Sequence, residues 1–382
     1  MKKIMYFIFC VFFSLILCSC GASPKNDSYS SDPVLLGDIK TIEEVELTCV
    51  AHDDNINYNA WLNAINGDMG YFNFYESTHT LYTNNRIKVY TPVGNNFEVS
   101  LLNDNDEIIY TTIPDVNGIC YLFPNWYSYS YNILVKYYDS NFKDTKEEKF
   151  NVTDELRINI NTNKVVKEEI DLMFVVDTTA SMGDELDYLK NEITDVIERV
   201  TSFNDCNVNV SILLYKDKGE IYETLYSDFN NDVNEQVKFL ENKIAYGGGD
   251  YEECVDVAIE EATNKNWSLN STKVLIHIAD APAHDEDINK WHNAVLKLSG
   301  MGIQMITVAS SGVNKKTEYL FRAMTLITNG TYVAITNHSA VGDEHIDSSN
   351  STDLVVEYLD NCLVRIINGY HSGKTYNPIP IN

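Results

Sequence analysis

Asp177, Thr179 and Ser181 alternate in the segment Val176-Asp177-Thr178-Thr179-Ala180-Ser181. A turn leaving a strand can aim such side chains, one carboxylate and two hydroxyls, at a single point. Asp280 follows the apolar run Val274-Leu275-Ile276-His277-Ile278-Ala279. Asp250 follows Gly247-Gly248-Gly249, whose backbone freedom lets it approach the same crevice. Oxygen donors alone suit Mg2+, Mn2+ or Ca2+ better than Zn2+. Capping is the competing use of these residues. Ser181-x-x-Asp184 and Asp250-x-x-Glu253 both have the capping-box spacing, and Thr179 can bond a turn amide. Asp177 and Asp280 weigh towards a cation, because each ends an apolar strand where an unpaired carboxylate is costly. Lys216-Asp217 ends another strand and reads as a turn or as the rim of the crevice.

The elements that must position these groups follow from hydrophobic periodicity. Ile170 to Val176 is a nearly continuous apolar run, as in a strand buried on both faces. Met182, Leu186, Leu189, Ile193, Val196 and Val200 then recur at helical spacing. Further strands are expected at 208–215, 273–279, 303–309 and 332–335, with helices over 232–246, 251–264, 286–299, 315–328 and 353–367. Alternation of this kind predicts a doubly wound α/β domain over 166–368 with a mostly parallel, Rossmann-like sheet. Its ligands belong beyond the carboxyl ends of the strands.

The segment "DLMFVVDTTASM" resembles the first motif of the metal-ion-dependent adhesion site of von Willebrand factor A domains, in its D-x-T-x-S form. "GGGD" falls where the second motif supplies a Thr, and "HIADAPAHD" is similar to the third. The resemblance implies that Asp177, Thr179 and Ser181 hold Mg2+ directly or through water. It implies that Asp280 acts mainly through water and that Asp250 stands in for the Thr. It further implies a protein or peptide partner that presents a carboxylate to the metal, and binding instead of catalysis. Asp184-Glu185 falls where integrin β-subunits hold an adjacent Ca2+, a second metal position.

Two other readings stand beside it, a purely structural envelope protein in which the metal only stabilises the fold, and an enzyme scheme. Haloacid-dehalogenase-type phosphatases also place an Asp nucleophile after a buried strand. Asp177 would be that nucleophile, with Asp280 and Asp285 as the Mg2+ pair and Lys265 or Lys273 as the phosphate-binding lysine. Thr179 stands where the acid/base carboxylate of that scheme belongs, and the glycine run has no role in it. There is no Ser-His-Asp signature, phosphate-cradling loop or H-E-x-x-H motif. His284 and His292 lie in an acidic helix start and a helix, and His292, following Trp291, reads as a packing or surface residue.

The rest of the chain describes delivery and support. Lys2 and Lys3 precede an apolar run, Ile4 to Leu17, which ends in Leu17-Cys18-Ser19-Cys20-Gly21. That run is short for a membrane span of about 20 residues but suits an export signal. It resembles the lipobox of bacterial lipoproteins. Residues 1–19 are then a signal peptide and Cys20 the lipidated residue, with 20–40 a polar tether. The expected location is the cell envelope, lipid-anchored with the folded part outside the cytoplasm. Residues 41–165 alternate with period two and carry turn signals, predicting a small antiparallel β-sandwich similar to bacterial Ig-like domains. Residues 369–382 form a tail. Between Tyr58 and Phe142 lie 19 aromatic residues, read as sandwich core before any binding platform. Five cysteines beyond Cys20 (Cys49, Cys120, Cys206, Cys254 and Cys362) lack CxxC spacing, which excludes a zinc ribbon or a disulfide scaffold; a Cys49–Cys120 bridge stays open. With 28 Lys+Arg against 56 Asp+Glu and a net charge of −28, no basic stripe exists for nucleic acid.

Overall fold

The computed structural model describes residues 46–381 apart from 69, 72, 75–80, 94–96, 139–144, 161–166, 204–205, 340–344 and 346–353. The expected signal peptide, Cys20 and the tether lie outside the described residues.

The chain opens with β1 (Thr48–His52) and α1 (Tyr58–Asn63). Seven short strands follow: β2 (Ile87–Tyr90), β3 (Phe97–Leu102), β4 (Ile108–Thr112), β5 (Ile119–Leu122), β6 (Tyr131–Tyr138), β7 (Thr145–Val152) and β8 (Glu155–Arg157). They form a three-stranded sheet, β5-β2-β8, and a four-stranded sheet, β4-β3-β6-β7. Ile87, Val89 and Leu122 of one meet Val99, Ile133 and Val135 of the other in a shared core, because period-two alternation gives each sheet one apolar face. The expectation of an all-antiparallel arrangement is corrected at one place. β8 runs parallel to β2, with Val89 opposite Leu156, since a long excursion through the second sheet separates them.

The larger domain contains β9 (Glu169–Asp177), α2 (Gly183–Phe203), β10 (Asn207–Tyr215), β11 (Thr224–Asn230), α3 (Val233–Glu241), α4 (Val255–Thr263), β12 (Ser271–Ala279), α5 (Ile288–Gly300), β13 (Ile303–Ala309), α6 (Lys315–Ile327), β14 (Thr331–Ile335), β15 (Glu357–Tyr358) and α7 (Leu359–Ser372). The sheet order is β11-β10-β9-β12-β13-β14-β1-β15. From β10 to β14 every pairing is parallel. Met173 and Val175 of β9 enter the core beneath α4, α5 and α6, while Leu172, Phe174 and Val176 enter the core beneath α2 and α7. Burial on both faces explains the uninterrupted apolar run. β11, an antiparallel edge strand, has a polar sequence and was not expected. α7 runs to Ser372, into the segment read as a tail.

The boundary at residue 41 is also corrected. β1 pairs antiparallel with β14, from Cys49–Ile335 to His52–Tyr332, so the large sheet takes its seventh strand from the segment assigned to the sandwich. Trp61 of α1 stacks on Tyr319 of α6 with ring centroids 5.8 Å apart. Asp54 accepts from both Nε and Nη2 of Arg322, at 2.9 and 2.6 Å. Aromatics read as sandwich core are thus split between two cores. Cys49 and Cys120 are likewise separated, Cys49 in the large sheet's core and Cys120 in the small one, both as free thiols.

The small unit docks against the C-terminal end of α5. The Ile113 amide donates to Ser299 O at 3.2 Å, and Ser299 Oγ donates to Thr112 Oγ1 at 2.9 Å. α5 returns antiparallel to the strands, so this contact lies at the opposite end of the sheet from Asp177 and Asp280.

Candidate metal centre

β9 is central, with β10 on one side and β12 on the other. Chain order reverses at this point, and the strand ends diverge into a crevice. Asp177 is the last residue of β9, and Asp280 directly follows β12. Both are buried.

Thr179 organises the first turn. Its amide and its hydroxyl both donate to Asp177 Oδ1, at 2.8 and 2.7 Å, and its hydroxyl lies 3.2 Å from Ser181 Oγ. Ser181 holds the Asp280 carboxyl down against the rise that burial imposes. A chain of oxygens therefore runs Asp177–Thr179–Ser181 and opens to solvent at Ser181, with Asp280 facing the same crevice. The structure gathers these four side chains at the carboxyl ends of β9 and β12.

The fifth does not meet them in the expected way. Asp250 is exposed, and its carboxylate groups with Asp217 and His284, one ligand atom of each lying within 4.8 Å of the others. Glu253 is the carboxylate turned to the first turn. It is buried, lies near Thr179 across Gly248 and feels the charges of Asp177, Asp217 and Asp280. Sequence reasoning placed Glu253 in a capping box, but α4 begins at Val255 with Cys254 as its N-cap and no side-chain cap. Neither Asp250 nor Glu253 caps it. The signal available was Glu253's position just before a helix that packs on β9 and β10.

The glycine loop is shaped to this purpose. Tyr246 N donates to Thr178 O at 3.2 Å, and Ala180 N donates to Gly247 O at 3.0 Å, so the loop pairs with the Asp177 turn. Gly248 has φ of +86°, and a Cβ there would lie 3.0 Å from Glu253 Oε1 and 3.3 Å from Thr179 Cβ. Lys216 is buried and donates its ammonium protons to Thr178 O and Tyr246 O. It thereby ties the two loops together beneath the site. Tyr251 OH fastens the far side, donating to Asp280 O at 3.1 Å and accepting from Asn314 N at 3.2 Å.

Around this crevice, three buried carboxylate oxygens have no hydrogen-bond partner: Asp177 Oδ2, Asp280 Oδ1 and Glu253 Oε2. Burial, then the charge of Asp280, pushes the Asp177 carboxyl up to about 7. Burial and the charges of Asp177 and Asp217 push Glu253 up to about 9. Asp280 rises to about 6, chiefly through burial. Like charges in a low-dielectric crevice cost free energy unless protonated or neutralised. Orphaned carboxylate oxygens beside two hydroxyls fit a hard divalent cation such as Mg2+.

Glu185 does not fit a second cation position. Its carboxylate accepts from Ser311 N at 2.9 Å and lies 2.9 Å from His345 Nε2, so it is already satisfied in the interior. The side chain of Asp184 lies outside the described residues. The phosphatase scheme also loses its parts. Lys273 lies near the start of β12, at the far end of the sheet. Lys265 pairs with Glu261, and Asp285 with Lys316.

Residues 171–341 match the family model of the von Willebrand factor A domain. An alpha-protein kinase, vwkA, of Dictyostelium discoideum is 27% identical over 197 residues, covering 50% of this chain and 30% of the kinase. A putative ariadne-like RING finger protein of Acanthamoeba polyphaga mimivirus is 30% identical over 115 residues, covering 30% of this chain and 11% of that protein. The chain thus spans no more than 30% of the length of either curated relative. Among solved structures, an aerotolerance-related membrane protein from Bacteroides fragilis is similar at 15% identity, over 56% of this chain and 92% of that one, with a TM-score of 0.29. A mutant of the PilB minor pilin from Streptococcus sanguinis is similar at 11% identity, over 84% of this chain and 97% of that one, with a TM-score of 0.35. The chain carries a von Willebrand factor A domain, and the candidate metal centre lies at the carboxyl ends of its central strands.

Proposed function

We propose that this domain binds a protein or peptide partner through a divalent cation, Mg2+ foremost, in adhesion or envelope assembly and without catalysis. The observation that carries the reading is the set of three buried, unpartnered carboxylate oxygens beside the hydroxyls of Thr179 and Ser181. Asp177, Thr179, Ser181, Asp280 and Glu253 would hold the ion, directly or through water. When bound, the cation supplies a positive centre able to accept an acidic side chain of the partner. The protein's own groups do the positioning. Lys216 and Tyr251 fix the loops, and Gly248 lets the Glu253 and Thr179 side chains approach.

Lipidation at Cys20 would hold the chain on a membrane, because buried methylenes contribute about 0.8 kcal/mol each. The two-sheet unit, read as an Ig-like support, docks at the end of the domain away from the site and leaves the crevice free. Recovery of surface proteins on the immobilised chain, in Mg2+ and in EDTA, tests the reading. Partners retained by the wild type in Mg2+ are expected to be lost in EDTA and with Asp177→Ala. Equal recovery in all three conditions would refute metal-dependent binding.

A further inference from the structure

We propose that Asp217, Asp250 and His284 form a second cation site, selective for a borderline transition-metal ion of the Zn2+ class over Mg2+. Each offers one ligand atom within 4.8 Å of the other two, and each comes from a different segment. Asp217 lies just after β10, Asp250 ends the glycine loop, and His284 lies between β12 and α5. His284 Nε2 is 2.8 Å from Asp217 Oδ1. Both side chains are largely enclosed, at 12% and 11% exposure, while Asp250 is open to solvent and provides the way in. The imidazole separates this set from the all-oxygen first site, since imidazole with carboxylates suits Zn2+, Co2+ or Mn2+ and serves Mg2+ poorly.

The surrounding charge adds to the case for a cation here. Glu253 is 2% exposed and its Oε2 has no partner. It lies under the charges of both Asp177 and Asp217. The glycine loop runs between them, with a Cβ at Gly248 falling 3.0 Å from Glu253 Oε1 and one at Gly249 falling 3.8 Å from Asp217 Oδ2. The adjacent lysines are committed elsewhere. Lys218 pairs with Glu286 and Asp287, and Lys216 donates to two backbone carbonyls. The cluster also tethers the glycine loop to the strand ends on both sides of β9, so an ion there would set the loop that carries Glu253.

Co2+ is the probe, because its visible absorption reports nitrogen and oxygen ligation, and the titration is done on the full chain in the Asp177→Ala background to silence the first site. One equivalent of Co2+ with visible bands is expected, displaced by Zn2+ and not by millimolar Mg2+. His284→Ala should weaken binding by about tenfold or more and remove the nitrogen-ligated bands. Asp250→Asn, at an exposed position, gives the same test if His284→Ala fails to fold. In an otherwise wild-type chain, His284→Ala should leave the Mg2+-induced thermal shift in place, so loss of that shift with Asp177→Ala alone reports on the first site separately. Co2+ affinity and spectrum unchanged by both His284→Ala and Asp250→Asn would overturn the proposal, as would no Co2+ binding at all.

Discussion

Thr179 donates both its amide and its hydroxyl to one oxygen of Asp177, at 2.8 and 2.7 Å. The other oxygen, Oδ2, is buried with no partner. The two-residue spacing in the sequence thus does two things. It fixes the carboxylate's orientation, and it leaves the other oxygen unpartnered within reach of the charges of Asp280 and Glu253.

Without a cation, this arrangement stores repulsion. Asp177→Asn removes one of the mutually repelling charges and should raise the melting temperature of the EDTA-treated protein, by an amount corresponding to on the order of 1 kcal/mol. The same variant should lose the stabilisation that Mg2+ gives the wild type. Thermal denaturation of both proteins, with and without Mg2+, checks the paired effect.

The pH dependence follows in sign. Asp177 and Asp280, held up to about 7 and about 6, bind protons more tightly folded than unfolded. Their contribution to metal-free stability is therefore complete below about pH 4, the unfolded carboxylate range, and is lost as pH rises through 6 to 7. Mg2+ competes with those protons. Its stabilising increment should grow between pH 5.5 and 8, and calorimetry in buffers of different ionisation enthalpy should show proton release on binding.

Gly248→Ala combines a left-handed backbone position with contact against Glu253 and Thr179. The expected cost is about 1–3 kcal/mol, with weaker Mg2+ binding, because the Glu253 carboxylate must shift. Gly249→Ala, with open φ and its nearest atom 3.8 Å away, is the matched control and should be far milder. Chemical denaturation of the two variants side by side reads the difference.

Arg322→Met isolates the structural role of the N-terminal segment. It leaves Asp54 buried beneath α6 without its bidentate partner, and a broken buried pair costs about 3–5 kcal/mol. Mg2+ affinity of the folded fraction should stay unchanged, since the pair joins α6 to the β1–α1 connection and touches none of the site residues.

Much of this was legible in the sequence for definite reasons. A strand buried on both faces announces itself as an apolar run, so β9 and β12 were readable, and with them the carboxylates at their ends. Asp177, Thr179 and Ser181 meet because local spacing decides their geometry, and Asp280 joins them because two apolar strands, β9 and β12, pair side by side. Glu253 was not readable, because which of two nearby carboxylates turns inward depends on where α4 begins, and Cys254 is an unconventional N-cap. Asp217 and His284 come together across 67 residues, a relationship fixed by sheet order alone. The placement of β1 was hidden for the same reason. Its short sequence, Thr48 to His52, suits a strand, but only tertiary structure determines which sheet receives it. β11 escaped notice because an edge strand needs little apolar character.

The central claim is that the carboxylates at the ends of β9 and β12, with Glu253, hold a divalent cation. Calorimetric titration of Mg2+ into the wild type, Asp177→Ala and Glu253→Gln tests it most directly. The account predicts one equivalent bound by the wild type, none detectable with Asp177→Ala and weakened binding with Glu253→Gln, in proteins whose circular dichroism matches the wild type. Undiminished Mg2+ binding by folded Asp177→Ala would contradict it.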